Sequence, residues 1–83
     1  MPDSIQKMNH YFIVDDNHGN MYRIGAQGDI EEIASELRKN SRNVRYVGSK
    51  EEDRVVKGRH HNGIKFVSCK YQYKLGVKWL GAA

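Results

Sequence analysis

Apolar and polar residues alternate along the C-terminal part of the chain, from Ser68 to Leu80. One parity is apolar or aromatic and consists of Cys69, Tyr71, Tyr73, Leu75, Val77 and Trp79. A two-residue period is typical of a β-strand that has one face on the core and the other in solvent. An unbroken strand over Ile64–Leu80 would span more than about 50 Å, so we expect a bend, bulge or turn at Lys74–Gly76.

Two β-rich runs near the N-terminus, Tyr11–Val14 and Met21–Ile24, flank a polar cluster that contains Gly19. This arrangement predicts a β-hairpin, because glycine supplies the positive φ that hairpin loops need. Residues 42–49 are also rich in β-formers and predict a third strand. Residues 1–9 show no clear period, so we expect a loose lead-in there.

The segment between Asp29 and Asn40 has the period of an amphipathic helix. Its apolar residues follow the i, i+3, i+4, i+7 spacing and are Ile30, Ile33, Ala34 and Leu37. Asp29, with Glu32 three residues later, has the form of a capping box, and basic residues in the last turn suit the helix dipole. We predict a helix over Ile30–Lys39 whose apolar stripe packs on a sheet.

The order of predicted elements is β-β-α-β-β, with a further strand if the C-terminal region divides at its bend. We therefore predict an α+β fold in which one helix packs on a mostly antiparallel sheet of four or five strands. Eighty-three residues suffice for a single domain. Residues 50–63 are highly charged, so we expect a mobile loop there, with Val55 and Val56 pairing briefly with a neighbouring strand.

The net charge of +4 is divided unevenly along the chain. Residues 1–40 contain four lysines and arginines against seven acidic residues, whereas residues 41–83 contain ten against three. Such asymmetry is a composition-level indication of a polyanionic partner. The chain has one cysteine, no secretory signal and no apolar run approaching the ~20 residues of a membrane span, so we expect a cytoplasmic protein.

Basic residues on and near the predicted strands are the candidates for function. Phosphate neutralisation dominates nucleic-acid affinity, and a row of lysines on a rigid strand is suited to it. The candidate contacts are Lys70, Lys74 and Lys78 on the C-terminal strand, Arg42 and Arg45 on the third strand, and Arg54, Lys57, Arg59, His60 and His61 as a clamp in the loop. The opposing interpretation is that a solvated sheet face simply requires polar residues, for which lysine is a common choice.

Aromatic residues interleaved with lysines are also typical of base-stacking surfaces. Strand parity, however, places Tyr71, Tyr73 and Trp79 on the face opposite the lysines, so we expect these rings in the core and only phosphate contacts from the lysines. For Arg45 and Tyr46, either side chain could face outward. The sequence lacks metal-ligand spacings and phosphate-binding glycine motifs, so we expect no enzymatic activity, metal or cofactor.

Two functions fit these observations. The first is a small non-enzymatic protein that binds DNA or RNA through non-specific phosphate contacts. The second is a protein-binding module or inhibitor of the kind that phages and mobile elements encode. It would add an edge strand to a partner's sheet, or use its basic face against an acidic or nucleic-acid-binding protein.

Overall fold

The chain folds as one helix and seven strands, as seen in a computed structural model that describes residues 8–16, 18–52, 57–69, 73–75 and 78–80. The elements are β1 (Met8–Asp15), β2 (Met21–Gln27), α1 (Ile30–Arg38), β3 (Asn43–Glu51), β4 (Arg59–His61), β5 (Ile64–Cys69), β6 (Tyr73–Leu75) and β7 (Lys78–Leu80). The predicted α+β class, with a single helix on an antiparallel sheet, is confirmed. No helix in the described ranges is long and apolar enough to cross a membrane.

Strands β1 to β5 form one antiparallel sheet in the order β3-β1-β2-β5-β4. Two of its strands carry an extra residue that interrupts the pairing. In β3, Val47 lies between the partners of Tyr11 and Phe12, and in β5, Val67 lies between the partners of Gly25 and Ala26. Each extra residue is a β-bulge, which shifts the alternation of side chains along the rest of its strand.

One face of this sheet forms the core with α1 and the small β6–β7 sheet. The strands contribute the buried side chains Phe12, Val14, Ile24, Ala26, Ile64 and Phe66, and the other two layers contribute Ile33, Ala34, Leu37, Tyr73, Leu75 and Leu80. The predicted apolar stripe of the helix therefore packs on the sheet as expected. Tyr73 is 2% exposed, so this ring is in the core as strand parity predicted, whereas Tyr71 and the side chain of Trp79 lie outside the described residues.

Local signals account for both ends of the helix. The Asp29 carboxylate accepts a hydrogen bond from the backbone N–H of Glu32 at 3.1 Å, which is the N-cap contact that the sequence predicted. The backbone N–H groups of Lys39 and Asn40 donate to the carbonyls of Glu36 and Leu37 at 3.3 and 3.1 Å. These bonds close the last turn, and the helix ends at Arg38, one residue before the predicted end.

The structure differs from the predicted boundaries in three places. Strand β1 begins at Met8, so the last two residues of the expected lead-in belong to the sheet. Strand β3 continues to Glu51, and β4 lies within the region expected to be a loop, while Val55 and Val56 fall outside the described residues. Between Ile64 and Leu80 there are three short strands, and β6 and β7 run antiparallel with Leu75 opposite Lys78.

The hairpin of β4 and β5 has a turn signal that the sequence analysis overlooked. Asn62 and Gly63 separate the two strands and have φ values of 51° and 81°. Two consecutive residues with positive φ form a type I′ turn, for which Asn-Gly is the preferred pair. This turn brings β4 to one edge of the sheet.

Candidate nucleic-acid interface

The sheet has a second face, directed away from α1. We call it the open face. On β1 and β2 it consists of the odd-numbered residues, from Asn9 to Asp15 and from Met21 to Gln27. On β3 and β5 it consists of the residues that pair with these, and the pairing of β5 with β4 extends it onto β4. Residues directly opposite one another in an antiparallel pair project to the same face, so the pairing fixes its membership. Met21, at one end of this face, has 61% of its surface exposed, whereas Asn9, at the other end, is 4% exposed.

Two rows of basic residues cross the open face. In the first, Arg45 pairs with Ile13, which in turn pairs with Arg23. In the second, Lys50 pairs with Asn9, the Asn9 side chain bonds to Gln27, and the row continues through Lys65 to His60. Ile13 and Asn9 are four residues apart on β1, so the two rows lie about 13 Å apart.

The bulge in β3 is the reason that Lys50 belongs to this face. Regular alternation from Arg45 would turn Lys50 toward the core side of the sheet. Because Val47 is an extra residue, Gly48 pairs with Tyr11 and Lys50 with Asn9, and both take the same face as Arg45. The alternative left open for Arg45 and Tyr46 is also settled, since Arg45 faces outward and the Tyr46 ring lies 5.4 Å from the Phe12 ring.

The open face is strongly positive. Its side chains Arg23, Arg45 and Lys50 are exposed and Lys65 is half-buried, while Asp15 is its one carboxylate among the described residues. Helix α1, on the other side of the sheet, carries three glutamates. Like charges gathered on one face raise the local concentration of an oppositely charged ligand and speed its association.

An aromatic ring lies between the two basic rows. Tyr11 is half-buried at the centre of β1, and the guanidinium carbon of Arg23 is 5.5 Å from the centre of its ring. The Nδ2 of Asn9 donates to the Tyr11 hydroxyl at 3.4 Å, and the Nε2 of Gln27 donates to the Oδ1 of Asn9 at 2.7 Å. This chain of side chains fixes the orientation of the ring on the sheet.

The described basic residues among those selected from the sequence are not brought together into one surface. Arg42 and Arg45 belong to the β3 edge of the sheet, whereas Arg59, His60 and His61 form β4 at the opposite edge. Four strand spacings, about 19 Å on a flat sheet, separate these edges. A single compact clamp that includes both groups is therefore not formed.

The remaining candidates are spread over the molecule. Lys74 is exposed on β6 and lines a cleft outside the open face, and Lys57 is exposed just before β4. Arg54 and Lys70 lie outside the described residues, and for Lys78 the structure describes only the backbone in β7. Among the candidates, Arg45 and His60 take positions on the open face.

His61 has a contact with the helix. Its Nε2 lies 3.4 Å from the Oε1 of Glu36. The other oxygen, Oε2, accepts hydrogen bonds from Asn62 Nδ2 at 2.9 Å and Lys39 Nζ at 3.1 Å. The bond from Asn62, aided by Lys39 and His61, holds the pKa of Glu36 below its usual value despite burial of the carboxylate. This cluster joins α1 to the turn between β4 and β5.

A polar cleft of about 370 Å³ lies between the β1–β2 turn, the end of α1 and β6. Its carboxylate, Asp16, accepts backbone N–H bonds from Asn20 at 3.0 Å and His18 at 2.7 Å and a bond from the Tyr22 hydroxyl at 3.0 Å. The Asn20 bond leads the effects that hold the pKa of Asp16 far below the usual range. A carboxylate bonded in this way is ordinary turn chemistry and a poor proton acceptor.

No group of three histidine, cysteine or acidic side chains converges anywhere in the described ranges, as a protein-built metal site would require. Comparison with protein-family models, with curated proteins and with solved structures finds no match to this chain. A function is therefore inferred from the geometry of the chain itself, in which the open face gathers four described basic side chains.

The sequence analysis missed Tyr11, Arg23, Lys50 and Lys65 as members of one surface. The alternation in β1 and β2 is visible in the sequence, but only its apolar residues were interpreted. The residues between them were not considered as a surface. Lys65 could have been found from its position between Ile64 and Phe66. Lys50 could not, because its face depends on the bulge in β3.

Proposed function

We propose that this protein is a small non-enzymatic nucleic-acid binder whose open face contacts phosphates. The observation that carries the proposal is the gathering of Arg23, Arg45, Lys50 and Lys65 on one sheet face, where Asp15 is the single carboxylate within the described ranges. Rigid strands hold these charges at fixed spacings, so little of the backbone needs to be ordered on binding. Phosphate contacts of this kind carry little sequence information, and we expect weak sequence preference.

The lysines of the C-terminal region are a competing surface for the same function. Lys74 is exposed, and Lys70 has the same parity in the sequence. Lys78, however, pairs with Leu75 and so does not continue the row predicted from the sequence. Because Lys74 lines the polar cleft outside the open face, the two surfaces can be separated by mutation. The open face is preferred because four of its basic residues have described positions on one sheet.

Edge strand β3 supports a second candidate, binding to another protein by strand addition. Tyr46 and Val47 on this strand are 45% and 40% exposed, and β3 lies at one end of the five-stranded order. An unpaired edge with exposed apolar residues is a template for an added strand. The bulge at Val47 interrupts that template, so we rank this candidate second.

Charge reversal on the two surfaces tests the proposal. Fluorescence anisotropy with a labelled oligonucleotide should show binding at about 50 mM salt that weakens steeply by about 200 mM. Lys50→Glu and Lys65→Glu should each weaken binding, and the double variant should lose at least about tenfold, with the salt slope falling by about 0.7 for each lost contact to a single strand. Lys74→Glu is the matched control, since it reverses one exposed strand lysine elsewhere.

The outcomes separate the candidates. If Lys74→Glu weakens binding while the Lys50 and Lys65 variants do not, the contact surface is the C-terminal lysine row. If neither DNA nor RNA binds the protein at low salt, the proposed function is wrong. Capture of a protein partner that survives high salt and is lost on changing Val47 to lysine would instead support strand addition at β3.

A further inference from the structure

Tyr11 lies between two positions that have no side chain. It pairs with Gly48 on one neighbouring strand and with Gly25 on the other. A Cβ built at Gly48 would meet no atom within 4 Å, and the φ of Gly48 is 143°, a value that other residues rarely adopt. Opposite side chains in a sheet normally have their Cβ atoms about 5 Å apart, so Gly48 leaves open floor beside the ring on the β3 side, whereas Gly25 on the β2 side is buried. This floor lies between the two basic rows.

The ring and its guanidinium partner form a stacking surface ready for a ligand. Arg23 is exposed, and its guanidinium carbon lies 5.5 Å from the centre of the Tyr11 ring. The bond from Asn9, a side chain that is only 4% exposed, holds the Tyr11 hydroxyl in place. Bases of unpaired nucleic acid stack on aromatic rings and on arginine planes, and a surface that is already ordered lowers the cost of doing so.

The breadth of the face favours single strands where bases are to be contacted. Five strands span about 19 Å between the outer two, whereas the major groove of B-DNA is about 12 Å wide and the minor groove about 6 Å. A sheet presented face-on to undistorted B-DNA therefore spans the groove and contacts its phosphates rather than its base edges. A single strand has no such restriction, because it can lie across the sheet with its bases directed toward the floor.

We propose that the open face binds single-stranded nucleic acid, with one base stacked on the Arg23–Tyr11 pair and the neighbouring phosphates on the two basic rows. This inference rests on the proposed function and names its substrate class. It differs from phosphate contact alone in one respect: affinity must depend on a planar group at the centre of the face as well as on charge at its margins.

The test compares a labelled single-stranded oligothymidylate with a duplex of the same length, using variants that change stacking and charge separately. Tyr11→Ile keeps a strand-forming apolar residue and should weaken single-strand binding about 5- to 150-fold, the range measured for loss of one stacked base. Tyr11→Phe keeps the ring and should bind within about twofold of the wild-type protein. Arg23→Lys keeps the charge and loses the plane, so affinity should fall while the salt slope stays unchanged.

Each possible result either supports or overturns the stacking inference. Single-strand affinity that falls in Tyr11→Ile and Arg23→Lys, with duplex affinity unaltered, supports the inference. If both variants bind the single strand as the wild type does, stacking is wrong, and the proposed function still stands where Lys50→Glu and Lys65→Glu lose affinity. If the wild-type protein binds neither oligonucleotide, both the stacking inference and the proposed function are wrong. Should circular dichroism show Tyr11→Ile unfolded, Arg23→Lys alone decides, because it alters only an exposed side chain.

Discussion

Replacement of Glu36 by glutamine should destabilise the domain at neutral pH, although the residue lies outside the open face. Glu36 is on the inner side of α1 and is only 7% exposed. Its Oε2 accepts hydrogen bonds from Asn62 at 2.9 Å and from Lys39 at 3.1 Å, and its Oε1 lies 3.4 Å from His61 Nε2. Glutamine preserves the size of the side chain but removes the charge and one of the two acceptor oxygens.

The size of the effect follows from the exposure of the three partners. A hydrogen bond to a charged group contributes about 1.5–3 kcal/mol, and the exposed Asn62 can turn to water, which places its loss at the lower end. The Lys39 side chain is 63% exposed, and an i, i+3 pair of this kind contributes about 0.2–0.5 kcal/mol. These two contributions sum to about 2 kcal/mol, which for a domain of this size lowers Tm by about 8 to 16 °C.

The effect should depend on pH in one direction. The Asn62 bond lowers the folded-state pKa of Glu36 relative to its value of about 4.3 in an unfolded chain. A lowered folded pKa contributes stability that is fully present above the unfolded pKa and is lost as the pH falls through the folded pKa. The gap between the wild type and Glu36→Gln should therefore be largest at neutral pH and should close in acid.

Urea denaturation followed by circular dichroism, at neutral pH and below about pH 3, measures this gap. Glu51→Gln is the control, because it makes the same change at an exposed carboxylate on β3 and should alter stability by less than about 0.5 kcal/mol. Asn62→Gly keeps the positive φ of the turn and should remove most of the coupling to Glu36. A Glu36→Gln protein as stable as the wild type at neutral pH, or a deficit that persists unchanged in acid, would refute the reasoning.

Three further perturbations test the fold. Leu37→Ala empties a fully buried position and should lower the free energy of unfolding by about 2–5 kcal/mol in urea denaturation. Gly63→Ala meets no neighbouring atom but must adopt a φ near 81°, so it should cost about 1–2 kcal/mol in the same assay, and a stability equal to the wild type would contradict the type I′ turn. Tyr73→Phe removes the hydroxyl that contacts Ser41 and the Leu37 carbonyl and should cost about 1 kcal/mol, with the ring packing retained. In an NMR titration, the Asp16 carboxyl should titrate well below the usual aspartate range because the Asn20 N–H and its neighbours bond the ionised form.

The sequence was sufficient wherever structure is decided by neighbours along the chain. The helix could be predicted because its cap at Asp29 and its apolar stripe are both local. The burial of Tyr73 could be predicted because a strand alternates whatever its partners are. The hairpin at Asn62–Gly63 had an equally local signal, and its omission was an error of interpretation.

The open face could not be predicted in the same way, because its membership is decided by pairing between distant segments. Tyr11 and Lys50 are 39 positions apart in the sequence, and they share a face through the register of β1 with β3. That register includes a bulge, and a bulge has no reliable signature in a single sequence. The order of the strands, which places Arg45 and His60 at opposite edges, is likewise a long-range property.

The bulge at Val47 acts as a phase shift within β3. Before it, residues of one parity face outward, and after it the other parity does. Deletion of Val47 would leave Gly48 opposite Tyr11 and Lys50 opposite Asn9 in a regular ladder, so Lys50 would stay on the open face. The bulge therefore absorbs one additional residue without turning over the rest of β3. A lineage could gain or lose this residue through an insertion or deletion of one codon and keep the same charged side chains on the same face.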